Sequence, residues 1–100
     1  MTPHPYYSEI DNILNLLTDK GYTFVSVDDG GDDDIIIDSH TQALETILSV
    51  DCSQLWLSKD SKNYWIDIVL GNEPGVALAD YSINDDFDAI SEEVYEMFNQ

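Results

Sequence analysis

Charge constrains this chain before any pattern in it is read. The sequence holds 21 Asp and Glu against 3 Lys and Arg, a formal net charge of −18, and a pI near 4.1. A small domain stays soluble with a net charge of roughly 2 to 8, and anything beyond that costs stability through self-repulsion in the compact state. So large an excess implies a use. At 100 residues, a globule has a radius of gyration of about 13 Å and a diameter of roughly 34 Å, which spaces the net charges about 1.9 Å apart. Duplex DNA carries one charge per ~1.7 Å of axis. A surface built to grip phosphates meets a similar object here, whereas nucleic acid and anionic membranes are repelled.

The chain is nevertheless built to fold. Apolar residues make up 43% of it, including 3 Phe, 6 Tyr and 2 Trp, spread along its length in a way that an acidic disordered tail does not show. One domain over residues 1–100 is expected, with a flexible lead over 1–7. The single cysteine, Cys52, rules out an internal disulfide and suits a cytoplasmic setting. Met1 to Tyr7 shows neither the basic nor the apolar part of a signal peptide, and no apolar run approaches the ~20 residues that span a bilayer.

Periodicity then yields the elements. Ser8 reads as the cap of a helix carrying Ile10, Ile13, Leu14 and Leu17 on one face and ending at Gly21. Tyr22 to Val27 and Ile35 to Ile37 read as a hairpin around an acidic turn in which Gly30-Gly31 supplies positive φ. Ser39 and Gln42 have the spacing of a capping box ahead of a short helix with Ala43, Leu44, Ile47 and Leu48, ending near Val50. Gln54 to Ser58 and Tyr64 to Leu70 read as strands joined by a loop from Lys59 to Asn63. A turn at Gly71 to Gly75 leads to a strand from Val76 to Tyr81. A last helix spans about Asp85 to Phe98, with Phe87, Ile90, Val94 and Met97 inward. The order α-β-β-α-β-β-β-α predicts an α+β fold, a five-stranded antiparallel sheet with its helices on one face.

Few residues suggest catalysis, and the chain reads as a binding protein without catalytic residues, metal or cofactor. His4 lies in the lead and His40 at a helix start. Cys52 has no basic neighbour and reads as a small buried hydrophobe. The run Asp28-Asp29-Gly30-Gly31-Asp32-Asp33-Asp34 fails as an EF-hand, because Asp33 stands where the invariant glycine belongs and Ser39 where the bidentate glutamate belongs. It is a solvated turn, a weak divalent site or a partner contact. A second acidic group, Asp85, Asp88, Glu92 and Glu96 with Asp86 and Glu93 beside them, runs along the last helix opposite the Phe87 stripe, its neighbours about 5 to 6 Å apart. Asp85 and Asp86 also favour the positive end of the helix. Like charges in such a row destabilise, so both groups are assigned to partner binding. Trp56, Trp65, Phe24 and Tyr64 are expected in the core.

The stretch Gly21-Tyr22-Thr23-Phe24-Val25-Ser26-Val27-Asp28-Asp29-Gly30, with Asp51, Leu55, Trp65, Val69, Gly71-Asn72-Glu73-Pro74 and Ala79-Asp80-Tyr81-Ser82, resembles small acidic proteins encoded in phages, prophages and plasmids. That resemblance implies a mobile-element origin and no particular chemistry. In charge and size the chain is also similar to DNA-mimic inhibitors, among them anti-CRISPR and anti-restriction proteins, without a shared motif that carries over any residue. The expectation is an inhibitor of a positively charged nucleic-acid-binding protein, a CRISPR effector above all, acting in the host cytoplasm as a monomer or dimer. The alternatives are an immunity protein or antitoxin against a basic nuclease toxin, and a small structural or regulatory phage subunit.

Overall fold

A computed structural model describes residues 5–31, 33–71, 75–82 and 84–99. Of the lead expected over 1–7, residues 1–4 lie outside them, as do Asp32 and residues 72–74 of the expected turn, whereas Tyr7 opens the first helix. Helix α1 (Tyr7–Asp19) precedes strands β1 (Thr23–Asp28) and β2 (Ile35–Ile36), helix α2 (His40–Leu48), strands β3 (Cys52–Lys59), β4 (Lys62–Val69) and β5 (Leu78–Tyr81), and helix α3 (Asp85–Phe98). This is the α+β order expected. The sheet runs β2-β1-β3-β4-β5, antiparallel at every pairing.

The helices share one face of this sheet, α1 lying between α2 and α3, with α2 also against β1. Ile10, Ile13, Leu14 and Leu17 of α1, Ile47 of α2 and Phe87, Ile90 and Val94 of α3 pack with Val27, Leu55, Leu57, Ile66, Ile68 and Leu78 of the sheet in one core. Phe87 is its aromatic centre, edge-on to Tyr64 and Tyr81 and tilted against Tyr22. Met97 was expected inward but is 41% exposed, and Phe98 packs against the core in its place.

Several local expectations shift. Ser8 does not cap α1, whose N-cap position is Tyr6. Ser39 does cap α2, accepting the Gln42 N–H. The Gln42 side chain, however, accepts from Asp38 and donates to the Ile36 carbonyl, tying α2 to the end of β2. The Lys59 to Asn63 loop contracts to two residues, Asp60 and Ser61, at φ 52° and 67°, because Ser58↔Asn63 and Lys59↔Lys62 still pair. Two successive positive φ values make the tight hairpin turn whose twist matches the strands, and the short Asp tolerates that region.

The segment before β5 is held from a distance. Glu9, on α1 and only 3% exposed, accepts the backbone N–H groups of Gly75 (2.9 Å) and Ala77 (2.8 Å). Gly75 sits at φ +89°, where a Cβ would come within 2.6 Å of Asn99 Nδ2 and 3.0 Å of Tyr95 Cα. Both the conformation and the close approach of α3 demand glycine.

Candidate functional site

The acidic residues divide by position in this frame. Among the described residues every acidic side chain but that of Glu9 is half-buried or exposed. In the β1–β2 connection, Asp28 Oδ1 accepts the Gly30 N–H and Asp29 Oδ1 that of Gly31, at 2.9 and 3.0 Å. These two carboxylates shape their own loop, as Asx turns do. Asp33 and Asp34 are exposed beyond them, and Asp32 lies outside the described residues.

On α3, Asp85, Asp88, Glu92, Glu93 and Glu96 are exposed as expected. Two carboxylates there have internal partners. Asp88 Oδ1 accepts from the Tyr81 hydroxyl at 2.7 Å. Asp86 Oδ2 accepts from the Tyr22 hydroxyl at 2.9 Å and lies 3.6 Å from Lys59 Nζ. Asn84 completes this cluster: its Nδ2 donates to the Tyr22 hydroxyl oxygen, and its Oδ1 caps α3 through the N–H groups of Asp86 and Phe87. Lys59 Nζ stands 5.0 Å from the Tyr22 ring centroid.

The structure does not merge the two acidic groups. The 28–34 loop leaves the sheet where β1 ends and β3 begins, since Asp28 pairs with Gln54. The start of α3 is held at the other end of β3, by Lys59. Five steps along the strand separate Gln54 from Lys59, roughly 17 Å. The rest of α3 belongs to the helical layer and returns toward Gly75.

The basic residues are concentrated instead. The chain's lysines are Lys20, Lys59 and Lys62, and it has no arginine. Lys59 and Lys62 face each other at the β3–β4 turn. Lys20 joins them through its neighbour Gly21, whose Cβ position is 3.6 Å from Lys59 Cε. All three therefore sit at one end of the sheet. The end bearing Asp28, Asp29, Asp33 and Asp34 lies about twice the ~8 Å Debye length of physiological salt away from them. Its carboxylates keep their field, whereas Asp60 and Asp86 at the other end have lysine beside them. Along its 36 Å long axis the 18 net charges still average one per ~2 Å, close to duplex DNA.

Two expectations about apolar side chains are overturned. Phe24 and Tyr64 do pack against the core, but Trp56 and Trp65 do not belong to it. Leu55, Leu57, Ile66 and Ile68 take the inward positions, so the alternation of a strand turns both tryptophans to the uncovered face. Cys52 follows the same parity and is exposed, not buried. The signal was present in β4, where Asp67 shares the parity of Trp65 and marks that side as the wet one.

His40 Nε2 is 2.7 Å from Asp11 Oδ1, joining α2 to α1, and its ring lies against Phe24. No three His, Cys, Asp or Glu side chains among the described residues converge as metal ligands. No helix there is long and apolar enough to cross a membrane.

Two tyrosines give the fold a pH dependence. Burial pushes the Tyr22 hydroxyl pKa up; the Asn84 hydrogen bond opposes this and Asp86 adds to it. The hydrogen bond to Asp88, then burial, pushes Tyr81 up. Both folded values lie above the ordinary 10, so the neutral phenols stabilise the fold below pH ~10 and that contribution is lost as pH rises through the folded values. The unfolding midpoint should fall as pH rises above about 10, less so in Tyr81→Phe. A midpoint that does not fall there in the wild type contradicts the assignment.

In comparisons with protein families, curated proteins and solved structures, nothing matches this chain.

Proposed function

We propose that the chain is an inhibitor that binds the nucleic-acid-binding surface of a positively charged protein, carboxylates taking the places of phosphates, and that its target is a host CRISPR effector prevented from binding DNA. One observation supports this above the others: the three lysines are gathered at one end of the sheet, and the opposite end is acidic without compensation. A domain that needed only solubility has no use for such segregation, because Lys interspersed among the acids stabilises the fold. A cationic cleft does have a use for it. The field of an unneutralised end steers encounter, and charge-assisted hydrogen bonds from Lys and Arg hold the complex in register.

The test is competition. Effector–guide complexes of several CRISPR types are mixed with the protein before labelled target duplex is added, at low and high salt. Loss of DNA binding near one equivalent of protein, relieved by salt, is the expected result. The same assay with basic nuclease toxins separates an immunity role. Should no effector lose its DNA even in dilute buffer, the proposal fails.

A further inference from the structure

We propose that the uncovered sheet face is the docking surface for this partner, an arginine-bearing segment of which lies across Trp56 and Trp65. The inference rests on the inhibitor reading above and names the surface through which it acts.

Strand register places the residues in rows. Ile36, Ser26, Trp56 and Trp65 stand abreast on β2, β1, β3 and β4, and Ser82 continues the row by donating its N–H to the Trp65 carbonyl. All three helices occupy the other face. Ile36 is 65% exposed and Val25, at the β1 irregularity, 38%. Trp56 and Trp65 are half-buried between these neighbours, and tryptophan is among the residues most enriched as anchors of protein interfaces, where its flat ring contributes much contact for little lost entropy.

Two residues further along the strands, some 7 Å away, runs a second row: Asp28, Gln54, Asp67 and Asp80 on β1, β3, β4 and β5. Gln54 Nε2 donates to Asp67 Oδ1 at 2.9 Å. Asp67 and Asp80 are direct cross-strand partners, and like charges at that separation destabilise a sheet. Beside this row the surface dips into an open depression of about 340 Å³ lined by Asp28, Cys52, Gln54, Asp67 and Val69.

An indole row next to a carboxylate row matches guanidinium chemistry. The planar cation stacks on tryptophan while its fork of N–H groups reaches a carboxylate, which lysine cannot do with one rigid group. A second copy of this chain is excluded as occupant by its own acidic row and its lack of arginine. Membrane and nucleic acid are excluded by the sign of the charge. Five strands ~4.8 Å apart and up to eight residues long give about 500 Å², less than the ~800 Å² per partner of a standard interface. Gly30 lines the same depression as Gln54 and Asp67, so the chain after Asp28 adds to this face.

Trp56 and Trp65 are the chain's 2 tryptophans, so their emission reports on this face alone. The probe is an oligo-arginine peptide titrated at low salt into wild type and two charge-matched variants, Asp67→Asn with Asp80→Asn, and Glu92→Gln with Glu96→Gln, each checked for folding by circular dichroism. Asn keeps the shape and the acceptor oxygen of Asp, so the sheet should persist. The expected result is a saturable change in tryptophan emission, weakened about tenfold by the sheet-face pair and no more than about twofold by the α3 pair. An oligo-lysine peptide of equal length should bind more weakly. Equal weakening by both pairs, or more by the α3 pair, overturns this docking face and leaves the inhibitor reading standing. A wild type that binds neither peptide overturns both.

Discussion

Raising sodium chloride from about 0.01 M to about 1 M should raise the midpoint of thermal unfolding by roughly 5–15 °C and, over the same range, weaken the hold on a basic partner by about 100-fold. Both effects have one cause. Among the described residues the lysine–carboxylate pair is Lys59–Asp86, so most of the net charge of −18 is repulsion stored in the folded state. At the lower concentration the Debye length is about 30 Å, comparable with the 36 Å long axis, and carboxylates at opposite ends repel one another. At the higher it is about 3 Å, and only adjacent groups interact. Recovering even ~1–2 kcal/mol of that repulsion shifts the midpoint of a domain this size by several degrees. The same screening removes the attraction that brings a cationic cleft to the acidic end. Chloride is the appropriate salt, since sulfate strengthens apolar burial in any protein. A midpoint that stays flat shows the carboxylates to be neutralised already. Binding that survives the higher concentration moves the main contact from the carboxylates to the tryptophan row.

Much of the fold was legible because its signals are local. Helix α3 matches its expected span to the residue, since Phe87, Ile90 and Val94 keep helical period and Asn84 caps immediately before Asp85. The strands of β3 and β4 were found but cut short. Asp60-Ser61 lacks the Asn-Gly signature of a two-residue turn, so the pairing of Lys59 with Lys62 was hidden in an apparent loop. The two hairpin pairings, β1 with β2 and β3 with β4, were legible, but how the hairpins join was not. That β1 pairs with β3 as well as β2 depends on α2 passing over the helical face between them, a matter of packing and not of pattern.

The site was read less well, for a physical reason. Each acidic group was found as a run or a helical row, which sequence displays directly. The row Asp28, Gln54, Asp67 and Asp80 consists of single residues from four strands, aligned by register alone. The gathering of the lysines is only partly visible, since Lys59 and Lys62 share a loop in sequence while Gly21, next to Lys20, reaches Lys59 only after α1 docks. In β3 the stretch Leu55-Trp56-Leu57 is apolar on both faces, so alternation could not choose the core side. Counting aromatic residues as core therefore failed for the two largest.

Glu9→Gln should cost about 2–4 kcal/mol of stability and lower the unfolding midpoint by roughly 10–25 °C, the largest loss expected from removing one charge in this chain. Its two oxygens are each committed, to Gly75 N–H and Ala77 N–H, in a site from which water is shut out. An amide supplies one acceptor; its NH2 must then confront a backbone N–H, leaving a buried donor unsatisfied. The damage spreads along the chain. Val69 donates its N–H to the Ala77 carbonyl and Ile68 pairs with Leu78, so loosening Ala77 frees the start of β5 and with it Asp80. By net charge alone the substitution should help, since it removes one unit of repulsion. Glu45→Gln, on the exposed side of α2, makes the same change in charge and should shift stability by no more than about 0.5 kcal/mol. Urea unfolding of the two variants separates hydrogen bonding from repulsion. Equal midpoints mean that Glu9 is held by the fold without holding it, whereas a fall confined to Glu9→Gln makes this carboxylate the tie between α1 and the edge strand.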